Sequence, residues 1–136
     1  RALVLRGGSA PNHGPDGVET ACAVLAKGGL DQRVMIDASH ANSRKDPANQ
    51  PKVVDEIAAQ VEAGDDRIIG VMIESNIVAG RQDLKPGQPL AYGQSITDGC
   101  IDWADTVRAL DRLAAAVRGR RQARAQMVAS VEASAG

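Results

Sequence analysis

VMIDASHANSRKD, Val34 to Asp46, decides how the rest of the chain is read. Val34, Met35 and Ile36 are residues that favour burial in a strand, and Asp37 closes them. Within the next nine positions come Ser39, His40, Asn42, Ser43, Arg44, Lys45 and Asp46. A core strand that breaks straight into polar, imidazole and cationic groups is the pattern of a strand whose end opens on a site. In sheets of parallel strands, such ends share one rim, and that rim carries the chemistry.

Working outward, the same grammar recurs. Ala2 to Leu5 is a short apolar run stopped by Arg6-Gly7-Gly8, a strand meeting a loop. Pro11 to Asp16 is rich in turn formers. Val18, Ala21, Cys22 and Leu25 then fall at i, i+3, i+4 and i+7, one apolar helix face, and Lys27-Gly28-Gly29 ends it. Arg33 to Asp37 is the second strand. Pro51 suits a first helical turn, Val54, Ile57, Ala58 and Val61 repeat the helical spacing, and Gly64 stops the helix. Ile68 to Ile73 is an apolar run closed by Glu74, as expected of a strand covered on both faces. Ser75 to Asp98 reads as a long loop, of the kind that is functional or disordered. Asp102 is the expected N-cap of a last helix with Trp103, Val107, Leu110, Leu113 and Val117 on its apolar face. The Ala- and Ser-rich tail, 122–136, reads as frayed unless a helical extension or a neighbouring chain orders it.

Strand, helix, strand, helix, strand, loop, helix predicts an α/β fold of βαβ units with parallel strands. Its 136 residues fit one domain or part of one. The chain opens on Arg1-Ala2-Leu3 with a strand already under way, which suggests a piece of a longer protein. The formal net charge is −1, and Tyr92 and Trp103 are the only aromatic residues. The near-absence of stacking side chains and of a basic face argues against nucleic acid as a partner. No apolar run approaches the roughly 20 residues that span a bilayer, so no membrane partner is expected. Two distant cysteines, Cys22 and Cys100, make no disulfide framework, and a reducing cytoplasm is the simplest compartment.

On the shared rim the pattern places Arg6, His40, Glu74 and Asp98. One imidazole with two carboxylates suits Mn²⁺, Fe²⁺, Co²⁺ or Zn²⁺ better than Ca²⁺. Each residue also has an ordinary structural reading. His40 could be bonded to backbone at a strand end, Glu74 could be salt-bridged, and Asp98 could cap the last helix. Arg6 beside two glycines suits a phosphate or carboxylate, or is an exposed side chain on a tight turn. Arg44 and Lys45 either add charge at the mouth or are solvated.

Four blocks carry a resemblance: LRGG (Leu5–Gly8), VMIDASHANSRKD (Val34–Asp46), IIGVMIES (Ile68–Ser75) and PLAYGQSITDGCIDW (Pro89–Trp103). Together they resemble the C-terminal part of the class I 3-deoxy-D-arabino-heptulosonate 7-phosphate (DAHP) synthases, in order and over nearly all of the chain up to Arg121. The resemblance implies a (β/α)8 TIM barrel, with residues 1–121 supplying the last three strand–helix units. It implies condensation of phosphoenolpyruvate with erythrose 4-phosphate, the first step of the shikimate pathway to aromatic amino acids; the sheet edges and apolar helix faces that such a partial barrel leaves uncovered in turn predict self-association into a homo-oligomer. The resemblance also implies a divalent metal ion held by a Cys, a His, a Glu and an Asp. The last three correspond to His40, Glu74 and Asp98, and the family's phosphate-binding Arg corresponds to Arg6. Neither Cys22 nor Cys100 matches the family's ligand Cys, which lies upstream. The chain also departs from the family pattern at Asn76, where a His is common, and at Asn12-His13, where Asn-Tyr is common. An incomplete barrel is expected to be inactive alone. Two other readings remain: a synthase joining phosphoenolpyruvate to another sugar aldehyde, and a non-catalytic assembly or regulatory fragment.

Overall fold

The computed structural model describes residues 2–135. Three parallel strands, β1 (Leu3–Leu5), β2 (Val34–Asp37) and β3 (Ile68–Met72), form a sheet in the order β1-β2-β3. Helix α1 (Pro15–Lys27) joins the first pair, α2 (Gln50–Glu62) joins the second, and α3 (Trp103–Ser134) comes last. The expected α/β alternation with parallel strands is therefore what the chain adopts.

Local chemistry explains the boundaries. α1 opens with Pro15 in its first turn, and its end is closed by Gly29 at φ +66. The Gly29 N–H donates to Ala26 O and the Leu30 N–H to Leu25 O, which satisfies carbonyls the helix itself leaves free. A 3₁₀ turn, Pro47–Asn49, leads into α2 and is capped by Asp46, whose carboxylate accepts from the Ala48 N–H. Val18, Ala21, Cys22 and Leu25 are the buried residues of α1, as their spacing requires. Val54, Ile57, Ala58 and Val61 are buried on α2 together with Val53 and Gln50. With Leu5, Val34, Ile36 and Ile68 they make one core between the helices and one face of the sheet.

Three expectations need correction. The run Ile68–Ile73 is not covered on both faces. Strand pairing sets Val4, Met35 and Gly70 side by side on the second face, where Val4 is 52% exposed, and Ile69 at the adjoining register shift is 53% exposed. Among the described residues helices lie against one face only, so half of an apolar run stays uncovered. The segment Ser75–Asp98 is not a plain loop. It holds two short strands, β4 (Val78–Arg81) and β5 (Gln94–Ser95), paired with a register shift. The Gln82 side chain donates to the carbonyls of Ala91 and Gln94 and accepts from the Ala91 N–H, replacing a regular ladder. The third correction concerns α3. Its buried residues are Thr106, Ala109 and Ala116, with Leu113 and Val117 partly covered, while Trp103, Val107 and Leu110 face outward. Alanines let two helix backbones approach closely, and α3 uses them to lie along α2, where Arg112 donates to Glu62 at 2.9 Å. The Asp102 N-cap is as expected, accepting from the Asp105 N–H at 2.8 Å. The helix continues through the tail as far as Ser134. Among the described residues no helix is long and apolar enough to cross a membrane.

Opposite the strand ends that carry the polar cluster, a brace ties α1, the α2–β3 turn and α3 together. Arg67 grips Asp65 with two nitrogens, at 3.0 and 2.9 Å, and Glu19 with a third at 2.8 Å. Arg120 donates to the Asp65 carbonyl. The hydrogen-bonded Arg67 guanidinium holds the Asp65 carboxyl below its ordinary value. A group whose folded pKa is depressed stabilises the fold above its unfolded pKa and loses that contribution as pH falls through the folded one. Denaturant midpoints should therefore fall as the solution is acidified below about pH 4. In Arg67→Met that acid-side slope should be shallower; an unchanged slope would show that this brace does not couple to folding.

Candidate metal centre

Beyond β2 the chain reverses within a few residues, and His40 adopts φ +46. Few non-glycine residues take that conformation, and when they do it is commonly at a functional site. Asp37 explains how His40 is held there. It is 2% exposed; one carboxylate oxygen accepts from the Ser39 N–H at 2.8 Å and the other contacts His40 Nδ1 at 2.8 Å. A carboxylate at Nδ1 places the proton there and leaves the Nε2 lone pair free.

That lone pair points at two acids. His40 Nε2 lies 3.9 Å from Glu74 Oε1 and 3.7 Å from Asp98 Oδ2. One ligand atom from each of the three residues lies within 4.8 Å of the others. Bonds of about 2.1 Å to a shared cation require donor separations of about 3 to 4 Å, so the arrangement fits a divalent ion. The Asp37–His40 contact is the kind of outer partner that fixes a ligating imidazole. Glu74 is oriented by the Ser39 hydroxyl, which donates to Oε2 at 2.5 Å. The bland alternatives for two of these residues do not match. The cap of α3 is Asp102, not Asp98, and the His40 ring meets a carboxylate rather than backbone.

Arg6 enters the same cleft from the end of β1. The cleft, of about 540 Å³, is lined by Arg6, Ser39, His40, Lys45, Glu74 and Asp98 among others. Arg6 is mostly exposed and approaches Asp37 at 4.0 Å. Lys45 lines the cleft and Arg44 does not, which separates two residues that sequence treats alike. Gly7 is required where it stands: it has φ +77, and a Cβ there would sit 2.7 Å from the Cβ of Ala41. The cleft thus combines a candidate cation position with two positive side chains, Arg6 and Lys45, in its lining.

Sequence reasoning missed the residues behind the site. Asp37 was read only as a strand terminator, although an Asp three residues before a His can reach its ring. Gln50 and Asn42, both buried, gave no pattern at all. Cys100 donates to the Asp98 carbonyl at 3.6 Å. Burial pushes its thiol above the ordinary value, and the Glu74 and Asp98 charges add to that while a Ser95 hydrogen bond opposes it.

Known proteins share this arrangement of sequence. Residues 2–111 match the model of the DAHP synthetase I family. The Phe-sensitive phospho-2-dehydro-3-deoxyheptonate aldolase of Escherichia coli (strain K12) is 49% identical over 119 residues, covering 88% of this chain and 34% of that protein. The phospho-2-dehydro-3-deoxyheptonate aldolase of Corynebacterium glutamicum is 51% identical over 129 residues, 89% of this chain and 34% of that one. The solved phospho-2-dehydro-3-deoxyheptonate aldolase of Francisella tularensis SCHU S4 superposes with a TM-score of 0.81 at 48% identity, over 86% of this chain and 34% of that chain. The chain spans about a third of the length of the relatives it matches. With the family model covering four-fifths of its residues, the chain belongs to the DAHP synthetase I family.

Proposed function

We propose that this chain is the sixth to eighth strand–helix units of a (β/α)8 DAHP synthase, with residues 1–121 in the barrel and 122–136 as a C-terminal extension. The parent would condense phosphoenolpyruvate with erythrose 4-phosphate to DAHP and inorganic phosphate, in the cytoplasm and as a homo-oligomer. The observation that carries the reading is the convergence of His40 Nε2, Glu74 and Asp98 beside Arg6, in a chain whose relatives are named for this chemistry.

A divalent ion of the Mn²⁺, Fe²⁺, Co²⁺ or Zn²⁺ class would be held by His40, Glu74 and Asp98, and when bound supplies Lewis-acid polarisation of the aldehyde oxygen. Arg6 binds and orients the anionic phosphoenolpyruvate, and Lys45 adds positive potential across the same cleft. Asp37 keeps the His40 proton on Nδ1. In the net reaction the enol carbon of phosphoenolpyruvate bonds to the aldehyde carbon, water adds at its second carbon, and phosphate leaves.

The bare sheet face supports incompleteness. Val4 and Ile69 are what a closed barrel interior would bury. The test is an assay of the full-length parent with a panel of sugar aldehydes, beside the 136-residue chain alone. The expected result is product from erythrose 4-phosphate with the parent and none with the chain. Preference for another aldehyde would move the assignment to a related synthase. Turnover by the chain alone, free of host enzyme, would overturn the partial-barrel reading.

A further inference from the structure

We propose that two buried amides, Asn42 and Gln50, are positioning residues that extend the β-ladder beyond its last strand pair and so set the spacing of Arg6, His40 and Glu74. Regular pairing ends at Leu5↔Ile36 and Asp37↔Met72. The functional side chains lie just past those pairs, where parallel strands are free to splay.

Asn42 is 3% exposed. Its Nδ2 donates to Leu5 O at 3.0 Å and to Asp37 O at 2.8 Å, which splices the ends of β1 and β2. Its Oδ1 accepts from the Asn12 N–H at 2.7 Å and meets His13 Nδ1 at 3.4 Å. Asn12 in turn accepts from the Gly7 N–H, so the loop beside Arg6 hangs on the same amide. Both amide hydrogens and one lone pair of that side chain are used, and two carbonyls facing one nitrogen fix its orientation. Gln50 is fully buried. Its Nε2 donates to Glu74 O at 3.0 Å and its Oε1 accepts from the Glu74 N–H at 2.8 Å. A residue on the first turn of α2 thereby pairs with Glu74 as a neighbouring strand would.

Burying two amides costs desolvation that apolar side chains would avoid. Most of these bonds go to backbone at the cleft: the Leu5–Arg6 peptide and both groups of Glu74, with the Asp37 carbonyl two residues before Ser39 and the Asn12 N–H in the loop that holds Gly7. That placement separates positioning from packing. The metal part of the inference rests on the proposed function; the backbone part does not.

The experiment uses the 136-residue chain with Gln50→Met, Gln50→Glu and Asn42→Leu, read by amide hydrogen exchange and by Mn²⁺ titration. In Gln50→Met the Glu74 amide should exchange at least about 10-fold faster while the Ile36 amide keeps its protection. Mn²⁺ affinity should fall about 10- to 100-fold. Gln50→Glu keeps the acceptor and loses the donor, so it should fall between. Asn42→Leu should speed exchange at Asn12. A merely structural role predicts instead that affinity follows global stability. Wild-type exchange at Glu74 in a folded Gln50→Met overturns the proposal. If that variant does not fold, Gln50→Asn, one methylene too short to reach, serves the same comparison. If the wild-type chain binds no Mn²⁺, the exchange data still decide the proposal, and only the metal reading fails.

Discussion

Replacing His40 by alanine should weaken Mn²⁺ binding by about 100-fold or more, a larger effect than removal of an outer partner gives. The loss has two sources. The imidazole supplies the nitrogen that both acids face, at 3.7 and 3.9 Å. Without it, two carboxylates share a small space with nothing between them, and a nearby anion disfavours the charge of its neighbour. Glu74→Gln should follow closely, since Glu74 is half-enclosed and held by Ser39. Asp98→Asn should cost least, because that side chain is 67% exposed and water can replace its oxygen. Asp37→Asn tests the support behind the ligand: it leaves the ring in place but unsettles its tautomer, with an expected loss of about 10-fold. Mn²⁺ spectroscopy on the refolded or soluble chain reads all four. Equal affinities across the series would mean that the three side chains meet without a cation between them.

The largest effect on stability is expected at a glycine. Alanine is normally better than glycine inside a helix by about 1 kcal/mol. Gly17 lies in the first turn of α1, yet a Cβ there would sit 2.0 Å from the Asn12 carbonyl oxygen and 2.7 Å from its carbon. Both neighbours are backbone and cannot rotate away. Gly17→Ala should therefore destabilise by about 3 kcal/mol, the upper range for overpacking, which is about 10 °C in melting temperature for a chain of this size. Gly8→Ala is the control, since nothing lies within 4 Å of its Cβ, and it should change little. The strain would also reach the cleft, because Asn12 joins Gly7 to Asn42. A neutral Gly17→Ala would show that the β1–α1 loop shifts freely, and the rigid frame described above would lose its anchor.

Much of this was legible in the sequence because it is local. Apolar residues three and four apart marked the buried faces of α1 and α2, and the apolar runs marked the ends of β2, at Asp37, and of β3, at Met72, to within two residues. The convergence of His40, Glu74 and Asp98 was legible through topology and through the family resemblance, not through local spacing: parallel strands put their ends on one rim whatever their separation in sequence. The face of α3 was misread because size is not burial. Trp103 and Leu110 carry more apolar surface than Ala109 and Ala116, but a close helix–helix approach selects the small side chains. β4 and β5 were hidden because Gln82 side-chain bonds hold them, and a Gly- and Pro-rich stretch shows no alternation. Gln50 and Asn42 were silent for a similar reason: an amide serving distant backbone leaves no period behind.

Helix α3 carries one more consequence. Its 32 residues run about 48 Å at 1.5 Å per residue, yet every residue from Arg121 to Ala135 is exposed. The first half borrows rigidity from α2, and the second half has only its own backbone ladder, which is marginal at that length in water. The rod should therefore fray from one end: its distal turns are expected to open and reclose on their own, while those near Ala109 move only when the whole fold gives way.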